Sequence, residues 1–406
     1  MTKKHIVLVT RWFYPENNVA TNRMNAFAKY LDRDRFELTV IGFLEEEMKP
    51  QSTDFDATVY REKGGGLMKT RRQKRSDGKF VHNLKSVNNI LVSRIKKEEY
   101  PGWARNVGKR LTIIHKETPI DLIISSYGPM DAHLGALKFL RKVTEKPKWI
   151  LDMRDEMSTN PFLSDRKKKE FEHFERSASK FASGVTTVSM PIVEAFKKTF
   201  PNVDCIEVRN GFDHSEVPLD NFNDVFTLLY AGSFYGERKP NTFFEALLEL
   251  KAEGQLPEKW VFKLLGTNKN FKIPTVLAPH LQFVPPCENS QAVREMFKAD
   301  CNVLIHPPMG VKGVYTGKLF EYVSAHKPIL GILDPKDVAA DLILEHKAGF
   351  IADFYTIPEI KTAFLEAYAC WASKRRLPFD PIQTATLHRK HQVKVLETLI
   401  TKLLSE

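Results

Sequence analysis

Two kinds of stretch alternate along this chain. Short runs of Val, Ile, Leu and Phe are separated by longer segments whose apolar residues recur at helical spacing. In the first half the runs are HIVLVT, FELTVIGF, DATVYRE, DLIISS, KWILDM, GVTTVS and CIEVRN. In the second they are FTLLYAG, VFKLLG, LQFVPP, CNVLIHP, KPILGIL and AGFIADF. Strand-length runs separated by helices predict parallel sheets covered on both faces. The series breaks at NGFDHSEVPLDNFNDV, where polar turn formers separate two complete sets. The predicted division is a first Rossmann-like domain over 1–212, a second over 213–378, and a terminal segment, 379–406. That segment has helical periodicity with no strand after it, and is expected to pack back on the N-terminal domain. The fold class is therefore α/β, with two doubly wound domains facing a central cleft lined by the carboxyl ends of their strands.

At 406 residues the chain exceeds one comfortable core, which agrees with two domains. With 42% apolar and 27% charged residues it has the composition of an ordinary globular protein. No apolar run reaches membrane-spanning length. MTKKHIVLVT turns apolar as a first strand does, without a signal peptide's long apolar region and cleavage site, which predicts a cytoplasmic protein. Cys205, Cys287, Cys301 and Cys370 have no spacing suited to zinc, so reduced, structural cysteines and no metal are expected.

The formal net charge is +11, and its placement is uneven. Residues 61–117 hold 16 Lys or Arg against 5 Asp or Glu, which accounts for the whole excess. The densest part contains Lys69, Arg71, Arg72, Lys74 and Arg75. A solvated insertion, an anionic membrane surface and a nucleic acid are the three readings of such a run. Aromatics are sparse there and no nucleic-acid signature accompanies them, so membrane contact is the better functional reading and no nucleic-acid partner is expected.

The loop after the first run, RWFYPENNVATNRM, has no GxGxxG, which disfavours a dinucleotide dehydrogenase. Several other stretches, taken in order, carry a resemblance. They are HIVLVTRWFYPENNVATNRMNAFAKYL; ISSYGPMDAHLGALKFLRK followed by KWILDMRDEMSTNPF; GVTTVSMPIVEAF with VRNGFD; LLYAGSFYGERKPNTFFEAL; and TGKLFEYVSAHKPIL. Together, over nearly the whole length, they resemble the GT-B glycosyltransferases, specifically the family 4-like group that uses sugar nucleotides. The resemblance implies transfer of a sugar from a UDP- or GDP-linked donor to a glycan or lipid-linked acceptor, in cell-surface polysaccharide or glycolipid assembly. It also implies retention of configuration, no cofactor and no obligatory metal; a lipid-linked acceptor together with the basic segment 61–117 would place the work at the inner face of the plasma membrane.

Site roles follow from the resemblance and from the charge that builds on a departing nucleoside diphosphate, which needs cations and backbone N–H groups. Gly232, Ser233 and Arg238 follow the strand FTLLYA, where a diphosphate would lie. Thr316, Gly317 and Lys318 open a helix that offers a cap hydroxyl, free amides and a second cation. Glu321, one turn on, is implied to hold ribose hydroxyls; Lys318 and Glu321 also read as an ordinary surface pair. His133 sits among apolar residues, as structural histidines do, while the resemblance places it beside sugar and acceptor. Asn18, Arg23, Arg154 and Asp155 are candidate acceptor or sugar contacts, although Arg154 and Asp155 could simply pair with each other. The chain departs from the family at Gly313, where a glutamate is common, at Ser233 in place of arginine, and at His326 in place of glycine. The missing carboxylate leaves the loop GVKGVYTG to meet the sugar through backbone N–H groups. Two alternatives remain: a nucleotide-sugar 2-epimerase of the same architecture, and a basic nucleic-acid-binding protein.

Overall fold

The structure, a computed structural model, describes residues 2–16, 18–64, 99–100, 102–308 and 310–406. Lys69, Arg71, Arg72, Lys74 and Arg75, with most of the basic segment 61–117, lie outside the described residues.

The chain divides into two compact units, residues 1–209 with 392–406, and residues 210–391. The first holds strands β1 (Lys4–Val9), β2 (Phe36–Phe43), β3 (Gln51–Asp54), β4 (Ala57–Glu62), β5 (Leu122–Ser126), β6 (Lys148–Asp152), β7 (Gly184–Thr187) and β8 (Asp204–Glu207). Their order in the sheet is β3-β4-β2-β1-β5-β6-β7-β8, all parallel except β3, which runs antiparallel to β4. The second unit holds β9 (Phe226–Ala231), β10 (Trp260–Leu265), β11 (Leu281–Val284), β12 (Cys301–His306), β13 (Ile329–Leu333) and β14 (Gly349–Asp353). They form a wholly parallel sheet in the order β11-β10-β9-β12-β13-β14.

Every run read from the sequence is a strand, and the alternation within each explains the layers. In β1, Val7 and Val9 enter one core with Ile123, Trp149 and Leu151, while Ile6 and Leu8 enter the other with Leu38, Val40 and Ile124. In β9, Phe226, Leu228 and Tyr230 pack on one side and Leu229 and Ala231 on the other. Full burial of each such aliphatic or aromatic side chain contributes about 1.5–3 kcal/mol, so a strand buried on both faces needs the continuous apolar run observed.

The terminal segment departs from the expectation of a single element. Residues up to 391 belong to the second unit: Phe212 N–H donates to the Leu387 carbonyl at 3.2 Å and Arg389 N–H to the Phe212 carbonyl at 3.0 Å. Only from residue 392 does the final helix, Arg389–Ser405, join the first unit, where Val393, Leu396, Leu399, Ile400 and Leu403 complete the core. Among the described residues no helix is long and apolar enough to cross a membrane.

Candidate functional site

The parallel strands of each sheet reverse their order once, and doubly wound sheets bind ligands outside the carboxyl ends of the strands at such a point. In the second unit the reversal lies at β9 and β12, flanked by β10 on one side and β13 on the other. Gly232 follows β9, His306 ends β12, and the helix Gly317–Ser324 comes next in the chain.

Arg238 is 8% exposed. Its Nη1 donates to the Tyr235 hydroxyl at 2.8 Å and its Nη2 to His306 Nδ1 at 2.5 Å, while Nε is buried without a partner. Lys318, on the first turn of Gly317–Ser324, places Nζ 4.0 Å from the centroid of the Tyr230 ring, which is itself stacked on Phe234. The aromatic face returns to a cation part of the solvation it loses on burial. Gly232 leaves room for the lysine. Its φ is +116°, and a Cβ there would stand 3.1 Å from Lys318 Nζ. Neither Arg238 nor Lys318 has a carboxylate within ion-pairing distance among the described residues. Burial above all, then the nearby Arg238 charge, pulls the Lys318 amine down to about 7.

The reading of Lys318 and Glu321 as a surface ion pair is not what the structure has. Lys318 turns to Tyr230, and Glu321 keeps a buried Oε2 with no partner. Burial raises the Glu321 carboxyl to about 7. Thr316 occupies the N-cap position, but its hydroxyl caps nothing and is buried without a partner. Ser233 Oγ donates to the Gly266 carbonyl at 3.3 Å. The backbone of the loop GVKGVYTG is partly spent: Gly313 N–H donates to Asp337 Oδ1 at 2.7 Å, which removes it from the groups expected to meet a sugar.

In the first unit several candidates have partners within the fold. The Arg23 guanidinium, 3% exposed, donates through Nη2 to Asp152 Oδ1 at 2.7 Å and through Nη1 to the Val208 carbonyl at 2.7 Å. Ser126 and Thr186 hydroxyls complete the Asp152 shell, each at 2.9 Å. Burial alone would raise the Asp152 carboxyl; Arg23 outweighs it and holds that carboxyl below its usual range. Asn18 caps the helix Val19–Tyr30, its Oδ1 accepting from Thr21 N–H at 2.9 Å. Arg154 donates through Nε to the Tyr127 carbonyl at 2.9 Å, so it braces the loop after β5 rather than pairing with Asp155, which is exposed.

His133 is fully enclosed at the start of the helix Asp131–Leu140. Its Nδ1 lies 2.6 Å from Ser125 Oγ, its ring stacks near Phe174, and burial drives its pKa down to about 3. The ring has no exposed atom in this structure. Among the described residues no cluster of three His, Cys, Asp or Glu is placed to hold a metal ion. The four cysteines are free.

No family model matches this sequence, and no curated protein sequence matches it. Solved structures do match. A glycosyltransferase from Rickettsia africae ESF-5 aligns with a TM-score of 0.63 at 11% identity, over 100% of this chain and 99% of that one. TarM aligns with a TM-score of 0.63 at 12% identity, over 100% and 99%. A variant of S. aureus TarM solved with UDP, α-GlcNAc-glycerol and fondaparinux aligns at 0.60 and 13%, over 100% of both chains. An α,α-trehalose 6-phosphate synthase from Burkholderia multivorans aligns at 0.57 and 11%, over 100% and 97%. At such identities the likeness is one of fold, the GT-B architecture.

Proposed function

We propose that this protein is a glycosyltransferase that moves a sugar from a UDP- or GDP-linked donor, held by the second unit, to an acceptor held by the first. The observation that carries this reading is the pair Arg238, buried, and Lys318, half-buried, two cationic side chains at the strand-order reversal with no carboxylate within ion-pairing distance among the described residues. Leaving cations unpaired and partly dehydrated costs free energy, and an anionic ligand recovers it. A nucleoside diphosphate supplies that anion and, as it departs, the growing negative charge that cations stabilise. Glu321, with one unspent carboxylate oxygen, suits ribose hydroxyls, and Thr316 has an unspent hydroxyl. Metal-independent transfer is the chemistry that two side-chain cations at the leaving group would serve, and retention of configuration is what the family resemblance implies. The charge excess of 61–117 fits a lipid-linked acceptor at an anionic surface in polysaccharide or glycolipid assembly. A nucleic-acid reading leaves Arg238 and Lys318 without a purpose.

A panel of nucleoside diphosphates read by thermal shift tests the donor site. UDP or GDP at about a hundred times its Kd should stabilise the protein by about 2.7 kcal/mol, and a flat panel would sink the reading. Product analysis with donor alone separates transferase from 2-epimerase, since only the epimerase converts the free nucleotide sugar.

Binding should also depend on pH, with a sign set by Lys318. Its amine titrates near 7 in the free protein. A bound diphosphate favours the charged form, so binding takes up a proton once the pH exceeds 7. Affinity should then fall by up to about tenfold per pH unit above 7 and level off below it. Glu321, also titrating near 7, adds negative charge over the same range. Lys318→Met should markedly reduce the proton uptake seen by calorimetry in buffers of different ionisation enthalpy, leaving only the part due to Glu321. Equal uptake in that variant would reassign it to another group.

A further inference from the structure

His306 is the last residue of β12 and is 4% exposed. Its Nδ1 accepts from Arg238 Nη2 at 2.5 Å. An arginine can only donate, so Nδ1 carries a lone pair and the ring proton resides on Nε2. Burial first, then the charges of Arg238 and Lys318, draws the ring's pKa down to about 4, which keeps it neutral. On its other side Arg238 is held by Tyr235, through the hydroxyl at 2.8 Å and with the guanidinium carbon 4.8 Å from the ring centroid. Two of the five guanidinium N–H groups are thereby spent, and the buried Nε–H is among the three that remain.

The chemistry of the acceptor matters here. A carboxylate in place of His306 would hold the guanidinium as firmly but would cancel its charge, and the site would lose its pull on an anion. No partner at all would leave a long side chain to be ordered each time ligand bound. A neutral imidazole does neither.

We propose that His306 is a positioning residue that locks Arg238 through an uncharged acceptor, so that the guanidinium meets a diphosphate already oriented and with its charge intact. This rests on the donor-site reading given under Proposed function, and two measurements keep the two claims separable.

In the ligand-free protein, nitrogen NMR at neutral pH should find His306 neutral with its proton on Nε2. Arg238→Ala should raise the pKa of that ring, because a cation beside it is gone. A ring protonated on Nδ1, or one indifferent to Arg238→Ala, would overturn the lock whatever the protein binds. Calorimetry with UDP and GDP should then show His306→Ala weakening the tighter of the two by about tenfold, the scale of one net hydrogen bond. His306→Asn should restore most of that loss, since its Oδ1 can stand as a neutral acceptor where Nδ1 was. His306→Asp should stay weak because its charge neutralises Arg238. In an Arg238→Ala background, His306→Ala should cost nothing further. Equal losses in the Ala and Asn variants, or losses that add to that of Arg238→Ala, would overturn the proposal. If the wild-type protein binds neither nucleotide, the donor-site reading fails, and the NMR measurement alone decides the lock.

Discussion

Arg238→Ala and Lys318→Ala should each lower turnover of the nucleotide sugar by about a hundredfold while the protein stays folded. Removing one preorganised donor to a developing negative charge typically costs about 2.7–4 kcal/mol in the barrier, a factor of about a hundred to a thousand. The lower end is appropriate because each cation leaves the other in place. Folding should survive because neither side chain belongs to an ion pair, so no buried carboxylate is left stranded. Arg238→Ala does orphan His306 Nδ1, a cost of about 1–3 kcal/mol at most. Steady-state kinetics beside a thermal melt checks the expectation. Normal turnover in both variants would remove the diphosphate from this place in the fold.

The second large effect falls on stability. Arg23→Ala should destabilise the protein by about 3–5 kcal/mol, the cost of stranding a buried charge. Asp152 has no exposed surface and would keep only its hydroxyl donors, Ser126 and Thr186. The pH dependence has a definite sign. In the wild type the Asp152 carboxyl is held below its unfolded value, so its stabilisation is present above that value and is lost as pH falls. In the variant burial is opposed only by the Arg154 charge and the remaining hydroxyl donors, so the carboxyl rises relative to the wild type and ionising it stabilises the fold less. The deficit should therefore be larger at about pH 7 than at about pH 4.5. A melt that barely moves at neutral pH would mean that the carboxylate finds water or another cation once Arg23 is gone.

Arg23 illustrates what could not be read beforehand. Its position in the loop-helix stretch after the first strand suits an acceptor contact, and nothing local shows that Asp152, far along the chain, takes it up. Asn18 is different. An Asn before a helical segment is an N-cap by its own chemistry, and the structure uses it so. For His133 the local pattern foretold the burial: a histidine among apolar residues lies in the core. His306 escaped notice because it closes a run, CNVLIHP, that reads as a buried strand. The run is one, and its last residue takes a charged side chain, Arg238, as its partner. The strand β3 was missed because QSTD carries no apolar residue; it is an antiparallel edge strand defined by its pairing with β4 rather than by burial.

What the sequence determined by itself was the alternation of strand and helix, the break between two sets, and the placement of Arg238, Lys318 and Glu321 just beyond strands of the second set. These are local properties, because burial on both faces of a parallel sheet demands a continuous apolar run and a loop must follow its strand. Tertiary structure alone decided which charges are neutralised and which are not. Arg23 finds a carboxylate, whereas Arg238 finds a neutral imidazole and Lys318 an aromatic face. It also decided where the chain leaves the second unit, at residue 391, through backbone bonds between Phe212 and the segment Leu387–Arg389. Partners distant in sequence are set by strand order and register, and the energy of a charge depends on those partners far more than on its neighbours along the chain.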